Sequence, residues 1–191
     1  PRGGCADFAN DSTNKRLAEA RDLLSAAGVS AATPLKLTLR FNNGDTQRKT
    51  AIAVAAMWQR LGVTTELVTA DLRAHQQAVR EGDFDVARAS WYAEDRDPAS
   101  FLELVASRAT GINISRFADQ QYDDLISRAE NSASLSERAA LLRQAEAHAM
   151  AEQPIAPLYY YVSRRLISPR VKGWVDNPRG IHLQRYLSIE E

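Results

Sequence analysis

Apolar and polar positions follow two periods along this chain, and the period changes wherever glycine, proline or asparagine interrupts it. Asn14 reads as an N-cap ahead of Leu17, Ala20, Leu23, Leu24 and Ala27, which share one helical face, and Gly28 closes that helix. After Pro34, Leu35, Leu37, Leu39 and Phe41 alternate with Lys36, Thr38 and Arg40, which predicts a strand with one wet face. Asn42-Asn43-Gly44-Asp45 reads as a turn and cap, and a helix over 46–61 should point Ile52, Ala55, Ala56 and Leu61 inward. Gly62 ends it, 63–68 forms a second strand, Asp71 caps a helix to Glu81, Gly82 ends that helix, and 84–90 forms a third strand. Strand, helix, strand, helix, strand with short links predicts a parallel sheet covered by helices, because such crossovers are right-handed. The strands' carboxyl ends then lie at one rim, with Asn42-Asn43, Thr69-Ala70 and Trp91-Tyr92 near one another.

The later residues carry helical periods. Tyr122, Leu125, Ile126 and Ala129 share a face over 120–130. Ser134-Leu135-Ser136-Glu137 is a capping box that opens a helix to 152, with Leu141, Leu142, Ala145, Ala149 and Met150 as its inward stripe and Pro154 as its stop. His148 falls one residue off that stripe and is expected at the surface. Residues 155–162 read as a strand that sends Tyr159 and Tyr161 to one face and Tyr160 into the core. Residues 171–191 show little period and are expected to need a partner surface to be ordered. The fold class is α/β, a mixed sheet with a parallel β-α-β-α-β core covered by helices.

Composition changes this picture little. The 191 residues are 45% hydrophobic and 25% charged, as in ordinary globular domains, and 24 basic side chains balance 24 acidic ones. No global field draws the chain to nucleic acid or anionic lipid. The apolar runs are broken by charge far short of the roughly 20 residues a membrane span requires. No basic start with an apolar stretch behind it marks a signal peptide within these residues. The single cysteine, Cys5, excludes an internal disulfide or a cysteine-rich metal site. Gly4-Cys5 resembles the end of a lipoprotein cleavage site, but the preceding apolar segment is missing, and an exposed thiol is the expected reading.

Candidate chemistry concentrates at 84–102, FDVARASWYAEDRDPASFL. Trp91 and Tyr92 offer flat, half-polar surfaces, and Glu94, Asp95 and Asp97 offer anionic charge. At the carboxyl end of a strand in an open α/β sheet, a stacking aromatic beside a carboxylate suits a ligand with an amine. The acidic run lacks the glycine and terminal bidentate glutamate of a calcium loop, so no metal is expected, and its other carboxylates should stay wet or cap a helix near 98–101. Arg88, inside an apolar strand, requires a partner there, an acidic side chain or a ligand carboxylate. His75, His148 and His182 lie in unrelated contexts, with no Ser-His-Asp or Cys-His arrangement and no phosphate-binding glycine loop. The residues therefore point to binding, without a cofactor, and not to an enzyme.

The same segment resembles one carried by the periplasmic oligopeptide- and dipeptide-type solute-binding proteins of ABC importers, the bacterial extracellular solute-binding proteins of family 5. Following it in order are ISRFADQQYDDLISRAE, SERAALLRQAEAHAMAEQPIAPLYYYVSRRLISPRVKGW, NPRG and RYLSI, and preceding it are RDLLSAAGV and LKLTLRFNNGDTQRKTAIAVAAMWQRLGVTTELV. The resemblance covers 17–189. It implies a two-lobed clamp of the type II periplasmic-binding-protein class that closes on an extended peptide in the periplasm or another extracytoplasmic space. It also implies three parts: a flexible arm at 1–13, the second (C-terminal) lobe at 14–170, and at 171–191 a return segment that would meet a first lobe absent from these residues. Implied partners are that lobe, a peptide or peptide-like ligand and the importer's membrane subunits.

By the same resemblance, Trp91 matches the family's pocket tryptophan, Arg88 its strand arginine, Tyr161 its pocket tyrosine, and Asn113 an asparagine kept before the following helix. The family's aspartate for the peptide α-ammonium follows Trp-x-Ala; here Trp91-Tyr92-Ala93 is followed by Glu94, the same charge on a longer arm. A further pocket tryptophan falls at Leu72, and a nearby arginine at Val79 with Arg80 beside it. These departures leave two alternatives open: a non-peptide ligand such as a nickel chelate, opine or sugar, and a stand-alone lobe used as a sensor or interaction module.

Overall fold

Helix α1 (Thr13–Ala26), strand β1 (Lys36–Asn42), helix α2 (Asp45–Gln59), strand β2 (Thr64–Ala70), helix α3 (Leu72–Glu81) and strand β3 (Val86–Ala87) follow one another as the alternating periods require. The computed structural model describes residues 11–93, 95, 97–162, 164–177 and 180–190, so the arm up to Asn10, with Cys5, and the side chain of Glu94 lie outside it. The chain divides into two units: the described residues up to Ser90 together with Thr110–Ile114, and Trp91–Ala109 together with the described residues from Ser115 on.

In the first unit β1 is the central strand of a parallel sheet ordered β2-β1-β3. It pairs with β2 from Lys36↔Thr64 to Asn42↔Ala70, and with β3 at Leu39↔Val86 and Arg40↔Ala87. The α/β expectation holds, but β3 is much shorter than 84–90. Ahead of it, the Asp85 carboxylate accepts the Thr38 N–H and hydroxyl, both at 2.8 Å, and so takes the place of a ladder carbonyl. A small core of Leu39, Phe41 and Ala51 forms under α2, with Val54 and Val86 against it. The inward face of α2 is therefore Ala51, Val54, Ala55 and Trp58, while Ile52 and Ala56 are exposed. The expected face is rotated because alanine at 51 lets the helix approach β1 closely.

One cap also differs in detail. Ser12, not Asn14, caps α1 by accepting the Lys15 N–H at 3.2 Å. The stripe of α1 is only half covered, with Leu23 at 66% exposure. Asp71 caps α3 as expected, accepting the Ala74 N–H at 3.0 Å, and Gly82 ends the helix at φ +80°.

The second unit is built on α4 (Ala99–Leu102), a 3-10 turn at Glu103–Val105, α5 (Gln120–Asn131) and α6 (Leu135–Glu152). Tyr122, Leu125, Ile126 and Ala129 of α5 meet Leu141, Leu142, Ala145 and Ala149 of α6 in one core with Ala99, Val105 and Ala106. The alanines bring the two helices close, and tyrosine, leucine and isoleucine fill what remains. Ser134 caps α6 by accepting the Glu137 N–H at 3.4 Å, while the Glu137 carboxylate turns to the Ser132 hydroxyl at 2.9 Å. His148, expected at the surface, is half-buried: its Nε2 pairs at 2.9 Å with Asp119, the carboxylate that caps α5.

The expected strand over 155–162 forms no sheet among the described residues. Tyr160, expected in the core, is 82% exposed, because an extended run without a neighbouring strand has no face to bury.

The tail is more ordered than its lack of period suggests. Strands β4 (Val171–Lys172) and β5 (Ser188–Ile189) pair antiparallel, and Trp174 stacks on His182 with ring centroids 3.6 Å apart. Gly173 makes this possible: at φ +77°, a Cβ would lie 1.8 Å from the Tyr186 carbonyl oxygen. Backbone-on-backbone overlap of that kind cannot be relieved by a rotamer change. Gly173→Ala should cost roughly 1–3 kcal/mol locally, so the Glu190 amide, which donates to the Arg170 carbonyl at 2.9 Å, should exchange about five- to a hundredfold faster. Unchanged exchange there would show that the tail does not depend on this contact.

Candidate functional site

At the carboxyl rim of the parallel sheet, backbone pairing holds the side chains in place. The Asn43 N–H donates to the Ala70 carbonyl at 2.7 Å and the Arg88 N–H to the Arg40 carbonyl at 2.8 Å, which carries the ladder one residue past β3. The half-buried Arg88 guanidinium donates to the Asn42 side-chain oxygen at 3.3 Å, so among the described residues its side-chain partner is a carboxamide and, of the two partners anticipated, not an acidic side chain. The Arg88 carbonyl in turn accepts from His75 Nε2 at 3.0 Å, and His75, on α3, is only 5% exposed. His75 was not singled out from the sequence. Its spacing of four from Val79, the other buried residue of α3, carries the signal. Asn113 lies half-buried in the short return Thr110–Ile114 of this unit.

In the second unit, Tyr92 and Tyr161 meet edge to face, with ring centroids 6.4 Å apart and planes at 66°. The indole of Trp91 is 44% exposed and the ring of Tyr92 is 70% exposed, so both present apolar area to solvent. Such rings bind flat or aliphatic groups through area and leave a polar tip for hydrogen bonding.

The acidic run behind them is mostly engaged in building its own loop. Asp95 accepts the Asp97 N–H at 2.9 Å, and one Asp97 oxygen accepts the Ala99 N–H at 2.9 Å at the start of α4. The other Asp97 oxygen pairs with Arg138 of α6 at 2.7 Å. Partial burial would raise the Asp97 carboxyl, but the Ala99 N–H and the Arg138 guanidinium outweigh it and hold the group below the usual carboxylate range. Asp97 therefore acts as a cap. Among the described residues, no three histidine, cysteine or acidic side chains gather as a metal site. The structure thus brings Tyr92 to Tyr161 within one unit and Arg88 to Asn42 and His75 within the other.

Similarity to known proteins points one way. A family model described as bacterial extracellular solute-binding proteins, family 5 Middle, matches residues 4–113. The periplasmic murein peptide-binding protein MppA of Escherichia coli K12 is 40% identical over 174 residues, which is 90% of this chain and 32% of the relative. The solved structure of the E. coli murein tripeptide binding protein MppA superposes with a TM-score of 0.91 at 38% identity, covering 98% of this chain and 37% of that one. Haemophilus influenzae OppA, solved in complex with RPPGFSPFR, superposes at 0.88 with 29% identity, covering 96% of this chain and 36% of that one. The chain thus spans about a third of the length of the relatives it matches. No described helix is long and apolar enough to cross a membrane.

Proposed function

The chain belongs to the bacterial extracellular solute-binding proteins of family 5, and on that premise we propose that it is a ligand-binding lobe of a peptide-type ABC importer's substrate-binding protein. Its task is to capture an extended peptide in the periplasm and present it for import, with no catalytic step. The observation that carries this reading is the superposition at 0.91 on a murein tripeptide binding protein over 98% of the chain. Residues 14–170 act as the second lobe, 1–13 as an arm, and 171–191 as the return segment toward a first lobe; the importer's membrane subunits receive the loaded protein.

Each candidate side chain offers one kind of ligand contact. Trp91, Tyr92 and Tyr161 supply aromatic area that tolerates many side chains, and Glu94 supplies the charge for the ligand's α-ammonium. Arg88 takes a carboxylate, because a guanidinium held by one neutral carboxamide keeps donors for an anion. Asn113 serves the ligand's main chain. Mass spectrometry of what co-purifies with the full product of the gene tests the reading. Short peptides are expected, and a nickel complex or a sugar would overturn it.

A further inference from the structure

His75 is a buried titratable group that peptide capture does not by itself use. Its Nε2 must carry the proton, since the partner at 3.0 Å is the Arg88 carbonyl, which only accepts. The other ring nitrogen, Nδ1, is buried with no hydrogen-bond partner among the described residues. A neutral ring tolerates a bare acceptor there far better than a cation would tolerate a bare N–H. The bond links α3 to the residue at which the sheet's ladder ends, and that residue's side chain reaches Asn42 at the end of β1.

We propose that His75 is a positioning residue for ligand binding: in its neutral form, its Nε2–H grips the Arg88 carbonyl and thereby fixes where the Arg88 guanidinium meets a ligand carboxylate. This rests on the peptide-capture reading above. The charged groups bearing on the ring are Arg40 from β1 and Arg88 itself, both cationic, while α3 carries Arg73, Arg80 and Glu81 with Asp71 as its cap. Burial first, and then the Arg40 and Arg88 charges, push the imidazole below its ordinary range against the opposing effect of the Arg88 carbonyl. The sign follows. A histidine with a depressed folded value binds its proton more readily once released, so the grip is complete at and above the ordinary histidine value of about pH 6.5 and is lost as pH falls through the lower, folded value.

The test uses the full gene product and two probes, tri-alanine and tri-alanine C-terminal amide, titrated by calorimetry from pH 7.5 to pH 5. His75→Leu should weaken tri-alanine about tenfold at pH 7.5 while leaving the amide nearly unchanged, because only the free acid uses Arg88. His75→Gln, which keeps an N–H donor without a titrating ring, should restore binding and flatten the acid-side loss seen in the unsubstituted protein. Equal weakening of both probes by His75→Leu, or the same acid-side loss in His75→Gln, would overturn the proposal. Should the unsubstituted protein bind neither probe, the peptide reading falls, and the Arg88 Nε–H NMR resonance decides the inference alone. That signal must move with pH in the unsubstituted protein and stay still in His75→Gln; a still signal in both overturns it.

Discussion

Tyr122→Ala should remove roughly 3–5 kcal/mol from the stability of the α5–α6 unit, a large part of what a domain possesses. Tyr122 has no exposed surface, packs edge to face on Phe117 with centroids 5.7 Å apart, and donates its hydroxyl to the Leu102 carbonyl at 2.5 Å. Burial pushes its phenol well above the ordinary range, so it remains a donor at any working pH. Truncation therefore opens a cavity and also leaves a partly buried carbonyl without its partner. Tyr122→Phe separates the two effects: it keeps the ring and should cost about 1–3 kcal/mol, the penalty of the orphaned acceptor. Urea unfolding gives the totals, and amide exchange gives the place: α5 and α6 should loosen while β1 and β2 keep their protection. A loss below about 1 kcal/mol for the alanine variant would mean that the contact does not hold the unit together.

That core was legible from sequence because its signal is redundant. Tyr122, Leu125, Ile126 and Ala129, and then Leu141, Leu142, Ala145 and Ala149, repeat at helical spacing between clear caps, and all eight are buried. The register of α2 was less legible, because alanines fill several of its faces and leave the pattern nearly symmetric. There the choice of Ala51 over Ile52 depends on how closely β1 approaches, a tertiary fact. The short β3 and the unpaired 155–162 share a cause. Strand pattern reports an extended backbone with a buried face, but hydrogen-bonded partners decide whether a strand forms. At Asp85 a side chain supplies the bonds, and for 155–162 no partner strand lies among the described residues.

The candidate site was read more fully in identity than in arrangement. Residue types and order marked Trp91, Tyr92 and Tyr161, and the structure joins the last two. The second and third acids of the run, Asp95 and Asp97, are readable as wet or helix-capping carboxylates, but the pairing of Asp97 with Arg138, forty-one positions away, has no local signal. His75 escaped because a lone histidine between Ala74 and Gln76 has no period of its own. Only the Arg88 carbonyl, brought to it by the crossover from α3 to β3, gives it a purpose.

Glu94→Gln should weaken binding of peptides with a free amino terminus by about ten- to a hundredfold, the range expected when one member of a charged hydrogen-bonded pair is neutralised. The substitution preserves shape and removes only charge, so the loss is confined to ligands that bring a positive group. N-acetylated tri-alanine should bind the unsubstituted protein and the variant equally, since it has no ammonium to lose. Glu94→Asp, which places the family's shorter arm at this position, should lose less than the glutamine variant, because it keeps the charge and changes only the reach. The pH dependence supplies a second reading with opposite sign to that of His75. The α-amino group of a peptide loses its proton around pH 8, so free-amine peptides should leave the unsubstituted protein as pH rises from 7 to 9. In Glu94→Gln, which has no carboxylate there to favour the ammonium over the amine, the same rise should change affinity little. An equal loss for free and acetylated peptides would place Glu94 in the fold of the loop and not on the ligand.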